Sequence, residues 1–218
     1  MSLSTKDRIL NKSLELFNAG GARAIGTTHI GEALGMSPGN LYYHFRNREE
    51  IVAALFDRME PEFHAALTSN ATPPLSAERF AGFYILAFDI LWRYRFFFGA
   101  LVDLLRRDDD LAARYDAFQR WALDALESIA AQLVKDGSMA KPPGPSSLKS
   151  VATNTWLIWL NWIRFVQTTK DDRAITKGDL AQGAFQTMDI LVPHLDAKYR
   201  KAASKILSEA TREATPLT

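Results

Sequence analysis

The stretch Thr27-Thr28-His29-Ile30-Gly31-Glu32-Ala33-Leu34-Gly35-Met36-Ser37-Pro38-Gly39-Asn40-Leu41-Tyr42-Tyr43-His44-Phe45 decides the fold. Ile30, Ala33 and Leu34 share one face of a short helix, and Gly35 interrupts that pattern. Ser37-Pro38 then opens a second helix. A serine hydroxyl caps free backbone N–H groups there, and a proline at the first helical position has no N–H to waste. Leu41 and Phe45, four residues apart, give this second helix its inward face. Two short helices joined by a glycine-bearing turn form a helix-turn-helix, whose second helix can enter the DNA major groove.

The residue types at the outer end of that helix suit the task. Pro38, Gly39 and Asn40 are small enough to approach base edges, with Asn40 able to pair with adenine or a phosphate. Tyr42 and Tyr43 are offered on the same side, and Tyr43 and His44 carry hydrogen-bonding tips. Ser37, as the cap, belongs to the same DNA-facing set. Thr27, Thr28 and His29 open the preceding helix, where free N–H groups and hydroxyls can hold a phosphate. Arg46 and Arg48 add positive charge. His29 and His44 sit on different helices with no cysteine or carboxylate completing a set, so no metal site is expected.

On the amino-terminal side, Leu10, Leu14 and Phe17 mark one face of a helix from about residue 4 to 18, ended by Gly20-Gly21. On the carboxy-terminal side, Asn47 caps a long helix starting at Arg48, with Ile51, Val52, Leu55, Phe56 and Met59 as its apolar stripe. Pro61 predicts a kink or break. Residues 1–48 hold six Lys/Arg (Lys6, Arg8, Lys12, Arg23, Arg46, Arg48) against three acids (Asp7, Glu15, Glu32), on a chain whose net charge is only +1. A basic head on a mildly acidic body suits a polyanionic partner.

The run from Thr27 to Ile51, with Leu41-Tyr42-Tyr43-His44-Phe45 followed by Asn47-Arg48-Glu49-Glu50, resembles the DNA-binding head of the TetR family of bacterial regulators. The resemblance covers roughly the first 55 to 60 residues. It implies that Tyr42, Tyr43 and His44 contact backbone phosphates and that Pro38 to Asn40 face the bases. It also implies a homodimer on a near-palindromic double-stranded operator, usually repressing and released by a small ligand. Gly26 departs from the family pattern, in which a serine or threonine often caps this helix; Thr27 is the expected substitute.

Beyond the head, helical periodicity continues without a convincing strand. Helices are expected at about 77–94, 96–106, 111–136, 147–169, 178–192 and 196–211, with connectors at 69–76, 137–147 and 170–173. The fold class is all-α: a three-helix head (1–48) joined to a larger helical ligand-binding and dimerisation bundle (49–218). The bundle carries a heavy aromatic load. Any one such residue is ordinary core, but as a group they predict a cavity for a small apolar or aromatic ligand. Trp92, Phe96, Trp121 and Trp159 are the first candidates, with Trp162 beside them. Asp103 is a candidate polar contact, as are Asp89, Asn154, Asn161 and Arg164. The helix at 147–169, apolar nearly all round from Trp156 to Val166, and a stripe of Ala181, Ala184, Phe185, Met188, Leu191 and Val192 predict a four-helix dimer interface, with Gly183 and Ala184 allowing close approach.

The 218 residues contain no cysteine, which excludes disulfides, thiolate metal sites and cysteine nucleophiles. No nucleophile–base pair, paired carboxylates or phosphate loop is evident, so neither an enzyme nor a cofactor is expected. Met1 to Arg8 lacks an apolar core, and Trp156 to Val166 is too short to span a bilayer, which predicts a cytoplasmic protein with no membrane partner. A regulator whose body binds a protein, distinguished by an open aromatic groove, is the alternative.

Overall fold

The computed structural model describes residues 3–69, 74–143, 147–170 and 175–212. Among them are ten helices: α1 (Thr5–Gly20), α2 (Thr27–Leu34), α3 (Pro38–His44), α4 (Arg48–Ser69), α5 (Ala77–Arg93), α6 (Arg95–Leu105), α7 (Asp109–Lys135), α8 (Leu148–Thr169), α9 (Lys177–Leu191) and α10 (Ala197–Thr211). Met139 and Leu195 form an isolated antiparallel β-bridge. Parts of the three expected connectors, 70–73, 144–146 and 171–174, lie outside the described residues. Helix α4 continues through Pro61 for 22 residues, so the break expected there does not occur.

The chain forms two compact units, residues 1–62 with 93–116, and residues 63–92 with 117–218. The first unit is therefore larger than the head expected at 1–48. The reason is the apolar stripe of α4: Ile51, Val52, Leu55, Phe56 and Met59 are all buried. Phe56 stacks on Phe97 of α6 at 5.4 Å between ring centres. A boundary read along the chain stops at the cap of α4, whereas the core takes in the helix that the cap begins.

Within this unit α1, α2, α3 and the residue that ends α3 bury Ile9, Leu10, Phe17, Ile30, Leu41 and Phe45. Asn18 fastens α1 to the corner where α5 ends and α6 begins. Its amide donates to the Arg93 carbonyl (2.8 Å) and its carbonyl accepts from the Phe96 N–H (3.1 Å), while Phe17 packs on Phe96 at 5.1 Å. Tyr94 at this corner donates to Glu62 of α4 (2.8 Å); burial, with the hydrogen bond to the Glu62 carboxylate, pushes its phenol well up. Truncating Asn18 to alanine strands two backbone groups at once. Asn18→Ala is expected to cost about 1–3 kcal/mol, a fall of roughly 2–10 °C in melting temperature, measurable by calorimetry.

The second unit is organised by aromatic side chains. Trp159 of α8 is fully buried among Phe63, Phe83, Tyr84 and Trp156, with ring centres 5.4 to 6.5 Å apart. Helix α9 packs on α8. The indole N–H of Trp162 donates to the Asp179 carbonyl (2.8 Å), and the Asp179 carboxylate takes Lys170 (2.6 Å) and caps its own helix with Thr176. Helix α10 buries Ala203 and Leu207, and Tyr199 donates to the carbonyls of Leu75 and Ser76. This packing revises the expected dimer stripe. Ala181, Gly183, Ala184, Met188 and Leu191 are buried within the chain, because α9 spends that face on its neighbours in the same unit.

Candidate functional site

The turn between α2 and α3 is built as its sequence requires. Gly35 adopts φ +62°, a left-handed conformation that residues with a Cβ avoid. Its N–H donates to the Glu32 carbonyl (3.1 Å), and that of Met36 donates to Gly31 (2.9 Å). This double closure satisfies the last carbonyls of α2 and reverses the chain. Ser37 caps α3 by accepting from the Asn40 N–H (3.3 Å). Leu41 is buried beneath the helix, so the opposite face must point outward.

That face carries the residues singled out in the sequence. Ser37, Pro38, Gly39, Asn40, Tyr42 and Tyr43 are all exposed, and His44 is half-buried. Tyr43 has 85% of its surface open, its ring meeting that of the neighbouring His44 edge-on at 5.2 Å between centres. Thr27 and Thr28 open α2 on the same side; the Thr27 hydroxyl lies 3.5 Å from that of Tyr42. A shallow cavity of about 240 Å³ runs between the two helices, lined by Thr27, Thr28, Gly31, Glu32, Met36, Pro38, Leu41 and Tyr42. At Gly26 no side chain caps α2. Instead, His29 Nδ1 accepts from the Gly26 N–H (3.1 Å).

One assignment is corrected. Arg48 does not present its charge outward: only 18% of its side chain is exposed. Its guanidinium donates to the carbonyls of Ala22 (3.0 Å) and Arg23 (3.4 Å) and pairs with Glu49 (2.6 Å). It braces the loop after α1 against the start of α4. Arg46 stays exposed, its backbone N–H held by Glu50, whose own N–H is capped by Asn47. Arg48→Ala is expected to lower stability by about 1–3 kcal/mol with no change in the salt dependence of DNA binding, whereas Arg46→Ala reduces the salt slope by about one.

The candidate ligand residues do not form one group. Phe96 and Asp103 belong to the first unit, and Trp92, Trp121, Trp159 and Trp162 to the second. Phe96 is buried against Phe17. Asp103 pairs with Arg23 (3.4 Å) and Arg107 (3.2 Å), and the Arg107 hydrogen bond holds its carboxyl below the usual range; it serves the head, which removes it as a pocket contact. Trp162 has committed its N–H to Asp179, while Trp121 stacks on His64 at 3.5 Å. The sequence reading missed a cavity of about 310 Å³, lined by apolar Leu67, Leu75, Ala125 and Ile129 with Thr68, Ser128 and Gln132. Small and aliphatic linings carry no periodic signal that separates them from ordinary core.

A family model described as bacterial regulatory proteins of the tetR family matches residues 9–55, and another, described as TetR, a bacterial transcriptional repressor, matches residues 58–203. The chain belongs to the TetR family. A TetR-family transcriptional regulator from Marinobacter aquaeolei VT8 is 35% identical, with 95% of this chain and 99% of that one covered and a TM-score of 0.85. The fold is shared with SmeT, repressor of the Stenotrophomonas maltophilia multidrug efflux pump SmeDEF (20% identity, 90% and 93% covered, TM-score 0.63). It is shared too with KstR2, a ketosteroid transcriptional regulator of Mycobacterium tuberculosis (16% identity, 90% and 97% covered, TM-score 0.64). As a TetR-family member, the chain is a transcription regulator with an amino-terminal helix-turn-helix and a helical body. Among the described residues no helix is long and apolar enough to cross a membrane.

Proposed function

We propose that this chain is a cytoplasmic, non-enzymatic repressor that binds a near-palindromic operator as a homodimer and releases it when a small apolar ligand occupies its body. The observation that carries the DNA reading is the capped, outward-facing α3, with Pro38, Gly39, Asn40 and Tyr43 exposed above a buried Leu41. A dimer offers two such tips to successive major grooves, about 34–36 Å apart. Thr27, Thr28, Ser37, Tyr42, Tyr43, His44 and Arg46 position the head on phosphates, and Asn40 reads bases.

The second copy meets α8. Its outer face exposes Leu157 (52%) and Phe165 (55%) with Asn161 and Arg164 between them, a stripe at helical spacing that solvent does not favour. A monomer in sedimentation at micromolar concentration refutes the dimer. The ligand is read in the second unit, which holds Trp92, Trp121 and Trp159 and the cavity lined by Leu67, Leu75, Ala125 and Ile129, and it acts by favouring one separation of the two heads over another.

Selection of bound DNA from a random library tests the reading, followed by a thermal-shift screen of apolar compounds. Asn40→Ala is expected to change which base is preferred at its contact, by about 1–3 kcal/mol. Tyr43→Ala is expected to weaken selected and random DNA by the same factor, roughly tenfold for one hydrogen bond to a charged phosphate. Equal effects of the two variants on selected and random DNA contradict these roles.

A further inference from the structure

Two polar groups in the aromatic core of the second unit have no partner among the described residues. Trp156 and Trp159 are 2% and 1% exposed, and the indole N–H of each is buried with no hydrogen-bond partner among those residues. A buried N–H without an acceptor loses its hydration with nothing in return, and phenylalanine fills an aromatic core without that cost. Trp162, one turn further along the same helix, shows the ordinary solution, a bond to the Asp179 carbonyl. Two unmet donors three residues apart, with ring centres 6.3 Å from each other, are a paired feature that packing does not account for.

Their neighbours add a route and a chemistry. Phe63 lies 6.5 Å from Trp159, Phe118 lies 5.9 Å from Trp156, and the two phenyl rings touch at 5.5 Å. On α4, Leu67 follows Phe63 by four residues, and on α7, Ala125 follows Phe118 by seven; both line the 310 Å³ cavity. Residues at these spacings share a helix face, so the cavity and the phenyl pair lie along the same faces of α4 and α7. Phe63 and Phe118 are themselves buried, so a ligand in the cavity would reach the indoles by turning one of these rings. The lining holds no charged side chain, and a bare carboxylate or ammonium there would lose its hydration without compensation. The volume is at the low end of the roughly 300–1,000 Å³ typical of ligand sites.

We infer that the effector is a two- or three-ring apolar molecule carrying a neutral hydrogen-bond acceptor, a ketone, ester or lactone carbonyl, which takes the indole N–H groups of Trp156 and Trp159. This rests on the ligand-responsive reading above and specifies its chemistry. A pure hydrocarbon of the same shape fills the cavity but leaves the donors unmet.

The test uses matched pairs: 9-fluorenone against fluorene, and benzophenone against diphenylmethane, bound to the full chain by equilibrium dialysis. The ketones are expected to bind about tenfold tighter than their hydrocarbons, the effect of one satisfied buried hydrogen bond. Replacing both tryptophans with phenylalanine brings that ratio close to one. Because those changes also remove volume, a second variant replaces Trp159 by 3-(3-benzothienyl)alanine, which keeps the ring shape and removes only the N–H. Without ligand it is expected to melt at or above the temperature of the parent, and with ligand to lose the ketone preference. Equal binding of ketone and hydrocarbon overturns this inference while leaving ligand response intact. A lower melting point for the benzothienyl variant shows that the N–H already has a partner and overturns it too. Binding of none of the four, with no compound shifting the melt in the wider screen, removes the ligand reading itself and this inference with it.

Discussion

A Gly39→Glu protein is expected to melt like its parent and to lose its operator. Gly39 sits in the first turn of α3, exposed, and a Cβ placed on it meets nothing within 4 Å. Glutamate there costs the fold nothing: it is a better helix former than glycine by several tenths of a kcal/mol, and a carboxylate at a helix start is favoured by the helix dipole. On DNA the same group is driven into the phosphate field. Like charges brought together in an interface cost several kcal/mol, which is at least about a hundredfold in affinity. Gly39→Ala adds bulk without charge and should lose much less. Gel-shift titration beside a thermal melt separates the outcomes. Retention of operator binding by the glutamate variant removes α3 from the DNA interface and, with it, the proposed mechanism.

The head was legible because its information is local. The serine cap, the proline after it, the left-handed glycine and the Leu41–Phe45 spacing each act within a few residues, so the sequence carries the turn and the outward tip together. Arg48 shows where that ends. Its charge and its position after the Asn47 cap read as a phosphate contact, but a long side chain reaches across the fold, and the carbonyls it meets, Ala22 and Arg23, are some 25 residues away. Asn18 is the same lesson in reverse. It looks like a polar residue closing a helix, yet it holds a corner 75 residues on.

In the body, aromatic periodicity identified most of the buried rings, with Phe165 left outside, but not what each ring is for. Phe96 and Trp159 look alike on a helical stripe; one packs on Phe17 in the head unit and the other sits in the core of the second. What distinguishes Trp156, Trp159 and Trp162 from one another is whether an acceptor lies opposite the indole N–H. That depends on which turn of α9 faces which turn of α8, a relation between distant segments that no single stretch encodes.

Two glycine-to-alanine changes that look equivalent on paper should move stability in opposite directions. Both Gly82 and Gly183 are helical, and a glycine in a helix interior costs about 1 kcal/mol relative to alanine. Around Gly82 of α5 there is open space, so Gly82→Ala is expected to recover that gain and raise the melting temperature by roughly 2–4 °C. At Gly183 of α9, a Cβ would stand 2.5 Å from Cδ1 of Trp162 and 2.6 Å from Cε1 and Cζ of Phe88. Neither ring can step aside cheaply. Phe88 is completely buried, and Trp162 is tied through its N–H to the Asp179 carbonyl. Overpacking of this kind costs about 1–3 kcal/mol. Three contacts this short place Gly183 at the upper end, which outweighs the helix gain and leaves a net loss of about 2 kcal/mol, a fall of roughly 4–8 °C. Gly183→Val, larger and β-branched, should fall further. If Gly183→Ala instead melts as high as Gly82→Ala, then α9 does not lie against α8 as closely as described, and the bond from Trp162 to Asp179 that depends on that approach is lost with it.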